Sequence, residues 1–398
     1  NCNFACSYCN ASFSTTWQKD IKQNGPYQNL VSDGAAAFQH DGTHAMPYGR
    51  KNTDNPYVEA FWKWWEAELQ HSLRELRVTG GEPSMSPDFW KLMEWWKKNP
   101  DCKVPFAVNS NLGQKKKLLD ALIESSKSFK DFSIYTSNES VGIQAEYIRH
   151  GLEWDVWLKN MYRVNQEGNI KTVNVMMTIN ALCLFSITEF MDEMMKIKKK
   201  FGYKAAVMSF NILRFPSFQS IVTLPKDIRL ERAAAMEAWH DKHWNNGQNG
   251  FIDIERDALL RLIEYTKSVD KGHEFTSSID TRERDFRSFY LQYDKRRGKD
   301  FYAAFPTLKN WFDGIPETNL QPLTQVVDGD DAKSNRYVDG VLEKAKDEGW
   351  VLNPQWANPG AQDFIEPDEQ QQDDMIDLVA QLQADTDKTY AGSQVKKI

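Results

Sequence analysis

Between Leu73 and Phe210 short apolar runs alternate with longer stretches in which apolar residues recur at helical spacing. The runs Leu73 to Thr79, Val104 to Ser110, Phe132 to Ser137, Lys171 to Ile179 and Ala205 to Phe210 have the length and composition of strands. Between them the pattern predicts helices over Pro87 to Asn99, Gln114 to Ser126, Ile143 to Gln166 and Ile187 to Phe201. Pro87 opens the first of these, and Lys198, Lys199 and Lys200 close the last, where they suit the helix dipole. Alternating strand and helix implies a parallel sheet with right-handed crossovers, and ligand chemistry at the C-terminal strand ends.

Upstream, residues 10 to 23, with Trp17, predict a first helix, and Pro56 to Leu73 a second. In the second, Val58, Phe61, Trp62, Trp65 and Leu69 share one side; aromatics so spaced face a core more often than a ligand. Asn24 to Pro56, rich in Gly, Asn, Asp and His, predicts a long solvated loop. After Pro225 the rhythm stops. Helices are predicted over Lys226 to Trp244, Asp257 to Ser268 and Thr281 to Asp294, with two more in the tail at Tyr337 to Glu348 and near Met375 to Gln383. The expected domains are a core over residues 1–225, a helical extension over 226–315 and an acidic, partly disordered tail over 316–398.

A chain of 398 residues, 41% hydrophobic, can bury a sizeable core. The net charge of −7 is uneven: from Glu317 onward 17 acidic residues face 7 basic ones, whereas the preceding body holds 42 basic against 39 acidic. A body at +3 lacks the strongly basic footprint of a nucleic-acid binder. No apolar run approaches the roughly 18 residues that span a bilayer, and nothing reads as a signal peptide. Five cysteines, three of them clustered, argue against a disulfide framework and for a reducing, cytoplasmic setting.

Those three, Cys2, Cys6 and Cys9, are the main chemical signal. An iron–sulfur cubane normally takes four thiolates, so three with no fourth nearby leave one iron open to another ligand. Structural zinc is the alternative, but it wants four protein ligands. The nearest histidines, His40 and His44, lie in the Gly- and Asn-rich stretch, and Cys102 and Cys183 stand alone, too few for a second cluster. At the end of the first predicted strand comes Thr79-Gly80-Gly81-Glu82-Pro83. Its glycines let backbone approach a ligand closely, and Glu82 adds an acceptor.

The spacing Cys-x3-Cys-x2-Cys, with Tyr8 before the last cysteine and Gly-Gly-Glu-Pro following at a strand end, resembles the radical S-adenosylmethionine (SAM) superfamily. The nearby Ser12, Ser14 and Trp17 resemble its twitch-domain-containing members. The resemblance covers about residues 1 to 215 and implies an α/β fold, an incomplete (β/α)6 TIM-like barrel whose first strand is expected upstream of Asn1. It implies a [4Fe–4S] cluster on Cys2, Cys6 and Cys9, with SAM chelating the fourth iron. Reductive cleavage would then give a 5′-deoxyadenosyl radical that abstracts hydrogen from a peptide or small-molecule substrate, with flavodoxin or ferredoxin as electron donor. By the same resemblance Gly80, Gly81 and Glu82 meet the methionine amino group, Ser137 and Glu139 the ribose, Arg149, on a helix, the methionine carboxylate, and Tyr8 the adenine. The substrate-directed catalytic residues stay unnamed. Two alternatives remain open on sequence: an RNA-modifying member, which would need a basic surface, and a metal-stabilised binding protein that does no chemistry.

Overall fold

The computed structural model describes residues 2–41, 55–268 and 274–316. Five strands, β2 (Leu76–Val78), β3 (Phe106–Asn109), β4 (Phe132–Thr136), β6 (Thr172–Ile179) and β7 (Val207–Ile212), form a parallel sheet in the order β2-β3-β4-β6-β7. Two shorter strands, β1 (Ala5–Cys6) and β5 (Arg149–His150), pair antiparallel, with Cys6 opposite Arg149.

The sheet has two unlike faces. Along β4 and β6 every second residue is buried: Phe132, Ile134 and Thr136, then Val173, Val175, Met177 and Ile179. Parallel strands covered on both faces are usually apolar throughout. Here the alternate positions are Ser133 and Tyr135, then Thr172, Asn174, Met176 and Thr178, all half-buried. A polar, half-accessible face is what a sheet lining a cavity requires, and ligand chemistry belongs on that side.

The helices among the described residues are α1 (Thr15–Asn24), α2 (Pro56–Trp64), α3 (Gln70–Ser72), α4 (Pro87–Lys98), α5 (Lys116–Ser126), α6 (Gly142–Ile148), α7 (Trp154–Glu167), α8 (Ile187–Phe201), α9 (Lys226–His243), α10 (Asp253–Lys267), α11 (Ile279–Arg297), α12 (Phe301–Ala304) and α13 (Lys309–Gly314). A widened turn, Trp65–Leu69, joins α2 to α3, and Trp65 there is fully buried against Trp95 and Trp96. In α4, Phe89, Leu92, Met93 and Trp96 recur at helical spacing and are buried, and Trp96 meets Phe106 of β3 at 5.2 Å between ring centroids. Each such side chain contributes about 1.5–3 kcal/mol on burial. None of the helices among the described residues is long and apolar enough to cross a membrane.

Three local expectations need correction. Residues 24–41 are not a solvated loop, since Tyr27, Leu30, Ala35 and Phe38 are buried and Tyr27 stacks on Phe289 of α11 at 4.9 Å. The helix over Ile143 to Gln166 is broken into α6 and α7, with β5 between them at Arg149 and His150. The last strand begins two residues later than Ala205, because Tyr203–Ala206 forms a tight helical turn. Residues 42–54 of the Asn24 to Pro56 insertion, His44 among them, and the two tail helices lie outside the described residues.

Gly151 has φ +102°, and a Cβ there would lie 2.9 Å from Asn3 O and from Phe4 Cδ1. Gly151→Ala is expected to cost roughly 2–4 kcal/mol, combining backbone strain with overpacking. Gly142→Ala, at φ +51° but with open space, is expected to cost only about 1–2 kcal/mol. Chemical denaturation of the two variants checks the difference; equal losses would mean that the approach to Asn3 and Phe4 does not matter. Beside it, burial and the charges of Arg297 and Lys299 hold the His150 imidazole down at about 4. Its folded value lies below the unfolded one of about 6.5. The stability it contributes is therefore present above pH ~6.5 and lost as pH falls toward 4. His150→Gln is expected to flatten the denaturation midpoint over that window relative to the parent.

Candidate cofactor site

The N-terminal loop is held by its backbone. Trp17 of α1 donates from Nε1 to Cys6 O at 2.9 Å, Ser14 from Oγ to Phe4 O at 2.6 Å, and Thr16 from Oγ1 to Cys2 O at 2.8 Å. Ser7 N donates to Ile148 O at 2.7 Å, and Cys9 N closes a turn on Cys6 O at 3.0 Å. Support also comes from far along the chain: Gln219 Nε2 donates to Ser7 O at 2.9 Å, and Tyr293 Oη of α11 lies 3.4 Å from Ala5 O and 3.0 Å from Tyr147 O. Buried backbone groups left unpaired are costly, so this saturation fixes where the three thiols stand.

Cys6 is buried, and Cys2 and Cys9 are half-buried. Burial is the main reason that all three thiols rise above the ordinary range, Cys9 to about 11. The sulfurs also repel one another as anions: Cys2 and Cys9 both push Cys6 up, and Cys2 pushes Cys9 up. Left to themselves they would stay protonated. Thiolates ligate metal, so the set suits a ligand that brings compensating positive charge to all three at once. Among the described residues no three Cys, His, Asp or Glu close around a single ion position. Three thiolates with no fourth protein ligand leave one iron of a cubane open to another ligand, and this donor chemistry fits a cluster.

The glycine turn ends β2. Gly80 is exposed, with φ +146° and open space where a side chain would stand, while Gly81 is half-buried. Glu82 does not project into that space. It is 2% exposed, and its carboxylate accepts from Ser84 Oγ at 2.7 Å, Asn111 N at 2.7 Å, Ser110 Oγ at 3.2 Å and Gln114 Nε2 at 3.3 Å. Burial raises its protonation range against the pull of these donors. Glu82 thus pins the end of β2 to the loop after β3 and leaves the exposed turn to backbone groups. Close by, Asn109 Oδ1 and Gln114 Oε1 are buried without a hydrogen-bond partner among the described residues, as are Asn138 Nδ2 and Ser140 Oγ after β4. Orphaned polar atoms at two neighbouring strand ends fit a polar ligand such as SAM.

Tyr8, Glu139 and Arg149 come together, but not as the sequence led one to expect. Glu139 is fully buried and accepts from Tyr8 Oη at 3.0 Å, from Arg149 Nη2 at 2.7 Å and Nε at 3.2 Å, and from Thr178 N at 3.4 Å. Its carboxylate is thereby committed to the protein. Arg149 starts β5 rather than standing on a helix, and its fork is turned inward on Glu139, with Nη1 3.8 Å from Cys6 Sγ. That orientation does not offer the fork to an external carboxylate. Ser137 stays half-buried in the loop after β4, in phase with Ser133 and Tyr135 on the polar face.

The sequence reading missed the supports. Gln219 and Tyr293 sit 212 and 288 residues from the loop groups that they hold, and no local pattern marks them. Tyr135 and Asn174, paired across β4 and β6, were legible in principle from the period-two polar positions of those strands.

Because Glu82 satisfies donors from two segments, Glu82→Ala is expected to lower global stability by at least about 2 kcal/mol. Glu82→Gln, which keeps the shape and one oxygen, is expected to lose less. Thermal denaturation checks the order, and an unchanged transition for Glu82→Ala would show that the carboxylate does not hold β2 to the following loop.

The family model described as the radical SAM superfamily matches residues 1–194. No curated protein matches the chain in sequence. Solved structures that it resembles include Streptococcus suis SuiB bound to S-adenosylmethionine, at 15% identity and TM-score 0.35, covering 50% of this chain and 44% of that one. SuiB bound to precursor peptide SuiA gives 14% identity and TM-score 0.36, over 61% and 44%. The chain thus spans less than half the length of the SuiB chains it matches. The family match runs from the clamped cysteine loop through the glycine turn into α8, and on it residues 1–194 belong to the radical SAM superfamily, whose cofactors are a [4Fe–4S] cluster and S-adenosylmethionine.

Proposed function

We propose that the chain is a radical SAM enzyme whose sheet is the arc of an incomplete (β/α)6 barrel, with residues 1–225 as its core and 226–315 as a helical extension. The observation that carries this reading is the placement of three thiols, Cys6 buried and Cys2 and Cys9 half-buried, on one clamped loop that is bonded to the ends of two strands of a parallel sheet. Cys2, Cys6 and Cys9 would hold the cluster. When bound, the reduced cluster supplies the electron for reductive cleavage of SAM, which yields the hydrogen-abstracting 5′-deoxyadenosyl radical.

The chain's own residues bind and orient. The exposed backbone of Thr79 to Gly81 would accept from the methionine amino group, while Glu82 keeps that turn in place. Ser137 would meet the ribose, and Tyr8, fixed through its hydroxyl to Glu139, would border the adenine. Substrate would lie against the polar face, where Tyr135, Asn174 and Thr178 offer hydrogen bonds and Met176 an adaptable apolar contact. A peptide or a small molecule fits such a face. A soluble cytoplasmic setting with a flavodoxin or ferredoxin donor completes the proposal.

Anaerobically reconstituted protein with iron, sulfide and a strong reductant is expected to convert SAM to 5′-deoxyadenosine, and Cys6→Ala to abolish this. Cleavage that survives Cys6→Ala would overturn the cluster assignment. Iron analysis is expected to give about four irons per chain. The Cys102→Ala, Cys183→Ala double variant should keep that count, since Cys183 is buried in a turn around Asn180 and Cys102 stands apart.

A further inference from the structure

Arg149 is placed for a task that its ion pair with Glu139 does not explain. The pairing of β1 with β5 sets it directly opposite Cys6. Its side chain is 4% exposed and that of Glu139 1%, so the pair is fully desolvated. One edge of the guanidinium, Nε and Nη2, is spent on the carboxylate. The remaining edge is turned to sulfur, with Nη1 3.8 Å from Cys6 Sγ. A pair retained only for packing has no need of that second contact, and buried ion pairs are weak sources of stability. Tyr8 adds its hydroxyl to Glu139, and its ring lies 5.4 Å from the guanidinium carbon, so rotation of Arg149 is restrained from two sides.

The pair therefore acts on Cys6 as an oriented dipole with its positive end toward the sulfur. Of the pair, it is the guanidinium that reaches the sulfur, through Nη1. Hydrogen bonds to the sulfurs and the local net charge are among the factors that set the potential of an iron–sulfur cluster. Accepting an electron adds negative charge, and a buried donor aimed at a ligand sulfur stabilises that state.

We propose that Arg149 is a positioning residue for electron transfer: its Nη1 donates to the Cys6 thiolate and raises the reduction potential of the cluster, while Glu139 and Tyr8 hold the guanidinium in register. The role rests on the radical SAM reading and is distinct from the SAM-carboxylate contact expected of this arginine.

The test is a redox titration of the anaerobically reconstituted full chain, read by visible absorbance and electron paramagnetic resonance, with iron counted in parallel. Arg149→Gln is expected to keep the iron count and to make one-electron reduction about tenfold less favourable, a shift of ~59 mV to more negative potential. Arg149→Lys, which keeps the charge but not the fork, should recover part of the shift. Arg149→Gln alone strands the buried Glu139 carboxylate and risks misfolding. The double variant Arg149→Gln, Glu139→Gln removes the charge pair whole, and it is expected to show the same negative shift. A midpoint equal to the parent's in a folded, iron-loaded double variant would overturn the proposal. So would a folded double variant that binds no iron, since Arg149 would then assemble the cluster rather than tune it. Parent protein that binds no iron would instead remove the cluster reading itself, a separate failure.

Discussion

The constraint on which the rest of the structure depends is the cost of bringing three thiolates together away from water. Burial and mutual repulsion both favour the protonated thiols, so the loop that carries Cys2, Cys6 and Cys9 cannot be held by its own side chains until a metal neutralises them. The protein answers with backbone bonds. Trp17 and Thr16 from α1, Ser14 just before it, Ile148 from α6, Gln219 and Tyr293 together fix the carbonyls and amides around the cysteines. Much of the helical architecture beyond the sheet can be understood as the means of delivering those partners. Helix α11 packs Phe289 on Tyr27 and Phe38, Arg297 over the Trp17 ring at 4.3 Å, and Tyr293 on the loop itself.

This explains which parts were legible in the sequence. The strands, the helices α4, α5 and α8 and the cysteine and glycine motifs are local patterns, readable from periodicity and spacing. Helix α8 runs from Ile187 to Phe201, as its apolar period and terminal lysines predict. The packed segment around Tyr27 and Phe38 was hidden by composition, because a few apolar residues among many polar ones look like loop until a distant aromatic helix covers them. Gln219 and Tyr293 were hidden by distance.

Arg149 and Glu82 show what spacing alone does not report. Both are charged residues in motifs that suggest contact with a ligand, and both prove to be bonded within the protein. Burial decides this. An ionised group that is 4% or 2% exposed has to find protein partners before it has anything left for a cofactor. Sequence spacing reports which residues gather near a site, but it does not report which of their atoms are already taken.

What remains for the ligand is then set by subtraction. The charged groups at the strand ends are spent on each other and on backbone, and the unspent capacity belongs to neutral groups: the exposed carbonyls and amides around Gly80, the orphaned atoms of Asn109, Gln114, Asn138 and Ser140, and the hydroxyls and amides of the polar face. Neutral dipoles can orient a charged cofactor without cancelling its charge. On the proposed reading the side chains free to bind are neutral, and those that carry charge, Arg149, Glu139 and Glu82, are bonded within the protein.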